Sequence, residues 1–269
     1  MIALIGASGR SGAALARALR RPFRAVVRDG AKWQALGIEA PFAVADLADA
    51  PGLRDALAGA SLVVSCAHAR HAPAILTATE APLVLMGSTR RHSRWPDAHG
   101  DGVRLGEAAL FAAGRPGIIL HPTMIYGAEG EDNVQRLAAL MRRLPVLPLP
   151  GGGRSLVQPV HQGDVTRCLL AAIELRHGPP QAIVVAGPRA MAYREFCAAI
   201  ARAAGLRPRP VLPVPAALLM ALAPLARPRI GRDEIRRLCE DKAFGIAPMR
   251  ETLGVSPIPL AEGLRLTFA

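Results

Sequence analysis

Residues 2–12 read IALIGASGRSG: a short apolar run entering three glycines, Gly6, Gly9 and Gly12, each three residues from the next. The apolar run reads as a strand, and the residues after Gly9 open a helix-length segment that Pro22 stops. Small residues at such a junction let the backbone turn tightly and approach a pyrophosphate, whose charge is favoured by the free N–H groups and positive dipole end of the helix. Gly6, Ala7, Ser8, Gly9, Arg10, Ser11 and Gly12 are therefore candidate cofactor-binding residues. A glycine triplet alone is weak; its position between strand and helix gives it weight.

Outward from this loop, β-rich runs alternate with helical stretches. FRAVVR (23–28), FAVAD (42–46), SLVVSCA (61–67), PLVLMGS (82–88) and GIILHP (117–122) read as strands two to six. Helices are expected over 11–21, 53–59 and 102–113. This rhythm predicts an α/β fold, a Rossmann-type doubly wound parallel sheet with a small C-terminal substrate lobe. The expected division is a dinucleotide-binding core over 1–125, then 126–269, whose sheet elements at about 156–186 interleave with the core. After Pro122 the pattern loosens: LPVLPLPGGG (144–153) reads as an irregular functional loop. Asp164 reads as the N-cap of the next helix, AIVVAG (182–187) as a strand, 193–204 as a helix ended by Gly205, and 211–269 as a Pro-punctuated helical lobe.

The end of strand two usually carries an acid that binds the adenosine ribose when NAD is preferred. Here it holds Arg28 followed by Asp29. An arginine there can pair with a 2′-phosphate, with Arg10 as a second contact, so the expected cofactor is NADP, with NAD as the alternative if Asp29 takes the ribose. By position, Asp46 and Leu47 would bracket the adenine, and Cys66 and Ala67 would face the nicotinamide ribose. Asp46 reads equally as a strand-end turn residue.

Composition narrows the classes. The 269 residues carry a net charge of +12, but only two of the 33 basic residues are lysines, the arginines are scattered, and aromatics are 4%, leaving no stacking platform for nucleic acid. The longest apolar stretch, 214–226, is broken by Pro215 and Pro224 and falls short of a membrane span. The start of the chain lacks an export signal, and Cys66, Cys168, Cys197 and Cys239 are spaced as reduced core residues, so a cytoplasmic location is expected. No metal site is expected. The expected partners are a small-molecule substrate, of the nucleotide-sugar or anionic-metabolite class, and a second copy of the chain in a homodimer.

GASGRSG, V-R-D (27–29), A-D-L (45–47), HPTMIYG (121–127), QPVHQGDV (158–165) and VVAGPRAMAYREF (184–196) together resemble the extended and atypical short-chain dehydrogenase/reductases. That group includes epimerase/dehydratase proteins, NmrA-like proteins and accessory-subunit-like members of complex I. The resemblance implies that Ser88 and Thr89, with Pro122 and Thr123, contact the nicotinamide side, and that His161 and Asp164 are a packing histidine and a helix-start aspartate. His121 stands where the family's pattern has arginine, and Tyr126 would order the substrate loop.

The same resemblance exposes a gap. The family's acid/base tyrosine is followed four residues later by a lysine that holds the ribose and lowers the tyrosine pKa. Tyr126 is followed by Gly130 and Tyr193 by Cys197, and alignment on Glu107 puts His99 in the tyrosine's place and Val103 in the lysine's. Ser88, Thr89 and His99 are the catalytic candidates, with His92 an alternative in the polar segment RRHSRWPDAHGDG (90–102), which reads as a loop. Tyr126, Asn133, Arg136 and Gln158 are the substrate-side candidates, with Arg154 behind them. The expected function is an atypical oxidoreductase or nucleotide-sugar epimerase/reductase acting on a carbonyl or hydroxyl; the alternative is a non-catalytic NADP(H)-binding sensor or structural module.

Overall fold

The computed structural model describes residues 1–95, 97–127, 129–130, 133–222 and 231–268. Seven strands form its central sheet: β1 (Ile2–Ile5), β2 (Phe23–Val27), β3 (Phe42–Val44), β4 (Leu62–Ser65), β5 (Leu83–Met86), β6 (Gly117–Pro122) and β7 (Gln181–Val185). They lie in the order β7-β6-β5-β4-β1-β2-β3, and every neighbouring pair is parallel. The chain winds one way from β1 to β3 and the other way from β4 to β7. The switch point, where ligands of open α/β sheets bind, thus falls between the carboxyl ends of β1 and β4.

Residue alternation along β1 shows why both faces are covered. Ile2 and Leu4 pack into one core and Ala3 and Ile5 into another, following the two-residue period of a strand. The first core lies under α1 (Arg10–Ala18) and α7 (Gln162–Glu174), and includes Leu15, Cys168, Leu169 and Ile173. The second lies under α3 (Ala50–Leu57), α4 (Ala72–Ala78) and α5 (Ala98–Ala113), and includes Leu53, Ile75, Val103 and Leu110. The short α2 (Gly30–Gln34) adds Trp33 to the first core, edge-on to Phe23.

A third core forms the lobe. It joins Val134, Ala138 and Met141 of α6 (Asn133–Arg143), Phe196 and Ile200 of α8 (Tyr193–Ala203), and Leu264 of α12 (Leu260–Phe268). The remaining helices are α9 (Ala216–Leu222), α10 (Arg232–Leu238) and α11 (Ala247–Leu253). The expected α/β fold is observed.

Several local expectations are corrected. Helix α5 begins four residues before 102, because Asp97 caps it by accepting the Gly100 amide at 2.7 Å. Its glycines let it press on the neighbouring turns: a β-carbon at Gly106 would stand 2.0 Å from the Ala69 carbonyl oxygen. Close packing thus overrides the poor helix propensity of glycine, and His99 lies on a helix rather than a loop. The N-cap of α7 is His161, which accepts the Gly163 amide at 3.1 Å, not Asp164. Asp164 is buried instead, pairing with Arg167 and accepting the Ile258 amide. Leu147–Pro150, read as irregular, is a strand parallel to Val211–Val214. Its prolines are tolerated on a two-stranded edge. Cys239 is exposed, not a core residue. Within the apolar stretch at 214–226, residues 223–226 lie outside the described residues, and no described helix is long and apolar enough to cross a membrane.

Candidate functional site

The glycine loop ends β1 at the switch point. Gly6 adopts a φ of +72°, and a β-carbon there would meet the Ala67 amide nitrogen at 2.9 Å, so the β1 and β4 ends close on each other at this glycine. Gly12 is tighter still: its β-carbon would stand 2.1 Å from the Gly6 carbonyl oxygen. Gly9 differs, since the nearest atom to its β-carbon, the same oxygen, is 3.2 Å away. Gly9 is also the N-cap of α1, with extended φ/ψ and no side chain capping the helix. Gly9 therefore brings no side chain to the first-turn amides of α1, and no acid lies among the first-turn residues, which is the electrostatic setting of an anion site.

Ser11 is turned away from this loop. Its hydroxyl donates to Gln162 Oε1 at 2.9 Å, and Gln162 in turn donates to Thr166, so Ser11 ties α1 to α7. Arg28 emerges exposed just beyond β2, next to the loop, because Gly6 N donates to Val26 O. Asp29 caps α2, its carboxylate accepting the Lys32 amide at 3.0 Å. Asp46 likewise accepts the Ala48 amide at 2.9 Å, an Asx turn beside half-buried Leu47. Cys66 and Ala67, half-buried, follow β4 directly, where Cys66 N donates to Ile5 O. Burial pushes the Cys66 thiol up to about 12, so it is no nucleophile near neutrality.

At the ends of β5 and β6 a buried cluster lies against the Ser88–Thr89 turn. His121 is 1% exposed. Its Nδ1 accepts the Ser88 amide at 3.2 Å, and its Nε2 lies 2.7 Å from Glu107 Oε2, which is also 2.8 Å from Arg91 Nε. Because Nδ1 accepts, the ring is neutral with its proton on Nε2. Burial, with Arg91 and His92 nearby, lowers its pKa to about 4. Burial also raises the Glu107 pKa, against the pull of Arg91. Gly87 is required by this ring, since a β-carbon there would lie 2.4 Å from His121 Nδ1. The Thr89 hydroxyl donates to the Pro122 carbonyl at 3.2 Å, and the Ser88 oxygen accepts the Arg90 amide. The Thr123 hydroxyl donates to the Gln158 carbonyl.

Beyond this edge opens a chamber of about 1090 Å³. Ser88, Thr89, His92, Thr123, Asn133 and Arg136 line it on the sheet side, and Leu140, Leu144, Leu147 and Leu149 continue its wall into the lobe. Sequence reasoning missed its far wall, from Glu234 to Phe244, because no motif marks a segment that reaches the sheet edge only through tertiary contacts. That wall is fastened from both sides. Glu240, 6% exposed, accepts the Ser93 hydroxyl at 2.9 Å and the Arg94 amide. Asp97 meets Arg90 at 2.8 Å and Arg237 at 3.6 Å.

The candidates therefore divide. Ser88, Thr89, Thr123, Asn133 and Arg136 reach the chamber, and His92 joins them. His99 does not line it: its ring stacks edge-on against His68, with centroids 4.3 Å apart, and burial with the nearby Arg90 lowers its pKa. Tyr126 is 1% exposed, packs edge-on against His161, and its hydroxyl fits against Gly263, leaving no room there for a β-carbon; it belongs to the lobe's core. Gln158 borders the chamber, but its amide is engaged, donating to the Gly187 and Phe244 carbonyls and accepting the Phe244 amide at 2.7 Å. Arg154 is exposed and absent from the lining.

No known protein-family profile matches the chain. It is 28% identical over 267 residues, 97% of its length, to uncharacterized proteins of Mycobacterium bovis and Mycobacterium tuberculosis, and spans only 29% of their length. Among solved structures, an NADPH-dependent quinone oxidoreductase (QOR2) from Escherichia coli superposes with a TM-score of 0.80 at 19% identity, covering 100% of both chains. The UDP-glucose 4-epimerase of Thermotoga maritima with UDP-glucose gives 0.76 at 16%, and the Bacillus cereus UDP-glucuronic acid 4-epimerase with UDP-glucuronic acid and NAD gives 0.75 at 16%; each match covers 99% of this chain and 97% of the other. The chain thus has the Rossmann-type fold shared by these epimerases and the quinone oxidoreductase, a fold that agrees with the resemblance read from its motifs.

Proposed function

We propose that this chain binds NADP(H) and interconverts a carbonyl and its alcohol, as an atypical member of the short-chain dehydrogenase/reductase type. The observation that carries this reading is the Gly6–Gly12 loop. Its backbone is closed too tightly at Gly6 and Gly12 to admit side chains, is less crowded at Gly9, and lies at the N-terminus of α1, whose N-cap Gly9 brings no side chain, with Arg28 exposed beside it. The amides of residues 10–12 would hold the pyrophosphate and Arg28 the 2′-phosphate. The nucleotide-binding solved structures support the reading by fold.

Bound NADPH would supply a hydride to the carbonyl carbon while the carbonyl oxygen takes a proton, giving the alcohol and NADP⁺. In this chain Ser88 and His92 face the chamber at the sheet edge. The Ser88 hydroxyl is placed by the His121 bond to its amide, and orients the carbonyl oxygen. Burial and Arg91 hold His92 below its ordinary pKa. Neutral near pH 7, it is the base for alcohol oxidation, and its protonated form is the acid for carbonyl reduction. The chamber favours this enzyme reading over a sensing module, since a cofactor held only as a signal needs no such volume beside it. The test is NADPH oxidation over a panel of quinones, aldehydes and nucleotide-sugars. Turnover should fall roughly 10²-fold or more in His92→Ala and Ser88→Ala, with His99→Ala near wild type. Bound NADPH that no compound consumes would overturn it.

A further inference from the structure

The walls of the chamber specify a substrate class. Helix α6 lines it with one stripe, in which Asn133 and Arg136 lie in the first turn and Leu137 and Leu140 follow, continued by Leu144 just past the helix end, its amide on the Leu140 carbonyl. These are the three- and four-residue steps of one helix face. The stripe therefore grades from polar to apolar along the axis, over about 16 Å from Asn133 to Leu144. Its polar end is stitched to the end of the sheet, because Asn133 Nδ2 donates to the Ile125 carbonyl at 2.7 Å, shortly after β6. Its apolar end runs to Leu147 and Leu149, with Leu219 and Leu238 contributed by α9 and α10.

Most cations around the chamber are engaged, Arg94 only loosely, its Nε 3.9 Å from Glu240 on a largely exposed side chain. Arg90 and Arg237 share Asp97, Arg91 pairs with Glu107, Arg94 approaches Glu240, and Lys242 donates to the Arg237 and Glu240 carbonyls. Arg136 is exposed on the chamber wall, with no ion-pair or hydrogen-bond partner among the described residues. An unengaged guanidinium calls for a carboxylate, sulfonate or phosphate. On this face the leucines beyond it offer no polar side chain to a ligand's hydroxyl groups, the chamber's Tyr193, Glu234 and Asp241 lying off α6, and burying hydroxyls unpaired is costly. A sugar ring suits this wall poorly.

Resting on the oxidoreductase reading above, we infer that the substrate is an amphipathic carbonyl compound: an extended apolar body lying along the leucines, with its reactive carbonyl and a single anionic group together at the sheet end, the anion on Arg136. Ser88 and His92, at that same end, then meet the carbonyl while the apolar body displaces water from the chamber.

A matched pair of dyes tests this without turnover. 8-Anilino-1-naphthalenesulfonate is an apolar aromatic with one sulfonate, and N-phenyl-1-naphthylamine is its uncharged counterpart. Both should bind the wild-type protein with enhanced fluorescence, and dodecanoate should displace both while UDP-glucose displaces neither. Arg136→Ala should weaken the sulfonate dye about tenfold and leave the uncharged dye unchanged. Leu140→Gln and Leu219→Gln should weaken both, with thermal melting confirming that each variant folds. An Arg136→Ala effect equal on both dyes, or absent from both, overturns the inference, as does displacement by UDP-glucose but not by dodecanoate. An NADPH titration of the same samples separates the two claims. Wild-type protein that binds the dyes as expected but not NADPH would sink the oxidoreductase reading alone, whereas normal NADPH binding with the wrong dye pattern would sink this one alone.

Discussion

Removing the Arg28 guanidinium should erase the preference for NADPH over NADH. The position follows from register: Val26 pairs with Ile5 in the parallel β1–β2 ladder, and the Gly6 amide continues that ladder onto Val26 O. Arg28 therefore leaves the sheet beside the phosphate loop. Asp29, the residue that would otherwise favour NAD, already caps α2 through the Lys32 amide. A charge-assisted bond contributes about 1.5–3 kcal/mol. Arg28 is exposed, so solvent screening places its share at the lower end, about 1.5 kcal/mol or roughly tenfold in affinity. Titration by nicotinamide fluorescence should show Arg28→Ala binding NADPH about tenfold more weakly and NADH within about twofold of wild type. High salt should narrow the wild-type gap, since an exposed pair is screened. Equal wild-type affinities, or a gap that survives Arg28→Ala, would refute the assignment of the 2′-phosphate to this side chain.

Two further expectations follow from the geometry. Gly9→Val should abolish NADPH binding with only a modest drop in melting temperature, because its β-carbon would stand 3.2 Å from the Gly6 carbonyl oxygen, whereas Gly12→Ala should lower the melting temperature strongly, its methyl falling 2.1 Å from that same oxygen; the reverse pattern would mean that the glycines have exchanged roles. Stability should also decline as pH falls from about 6.5 toward about 4: burial, with Arg91 and His92 nearby, holds His121 neutral, so its depressed pKa contributes stability above the unfolded value and loses it through the folded one. Urea denaturation of His121→Gln, which cannot titrate, should show a flatter slope over that window.

The parts of the fold that repeat locally were legible in the sequence. Each strand of the sheet is a short aliphatic run, and the glycine loop is defined by three positions within seven residues, so residue types and spacing alone place the phosphate end. What could not be read depends on partners distant in the chain. Helix α5 starts at the Asp97 cap and carries glycines whose meaning lies in the Ala69 and Arg90 carbonyls they must approach. The prolines in Leu147–Pro150 suggested a loop, and only pairing with Val211–Val214 makes a strand of it. Gln158 looked available as a polar residue in a loop, yet its amide bonds a segment 86 residues later. Cofactor positions on one βα unit are local; substrate positions are gathered from several loops and the closing lobe.

The missing tyrosine and lysine gain meaning from the same geometry. Alignment placed His99 and Val103 in their positions, and α5 does carry both, one turn apart. Val103, however, is 1% exposed within the core under α3 to α5. A lysine there could serve a ribose only by carrying its charge out of that packing, since leaving it inside is strongly unfavourable. His99 is likewise occupied, its ring against His68 and its pKa lowered by burial and by Arg90. On this face α5 is a packing helix, its glycines allowing close approach to the turn after β4. The polar groups on the Ser88–His92 turn, one strand further along, face open volume, and His121, in contact with Glu107, accepts the Ser88 amide of that turn. Under the proposed function, proton transfer would fall at the ends of β5 and β6, and the residue to follow through a pH profile is His92.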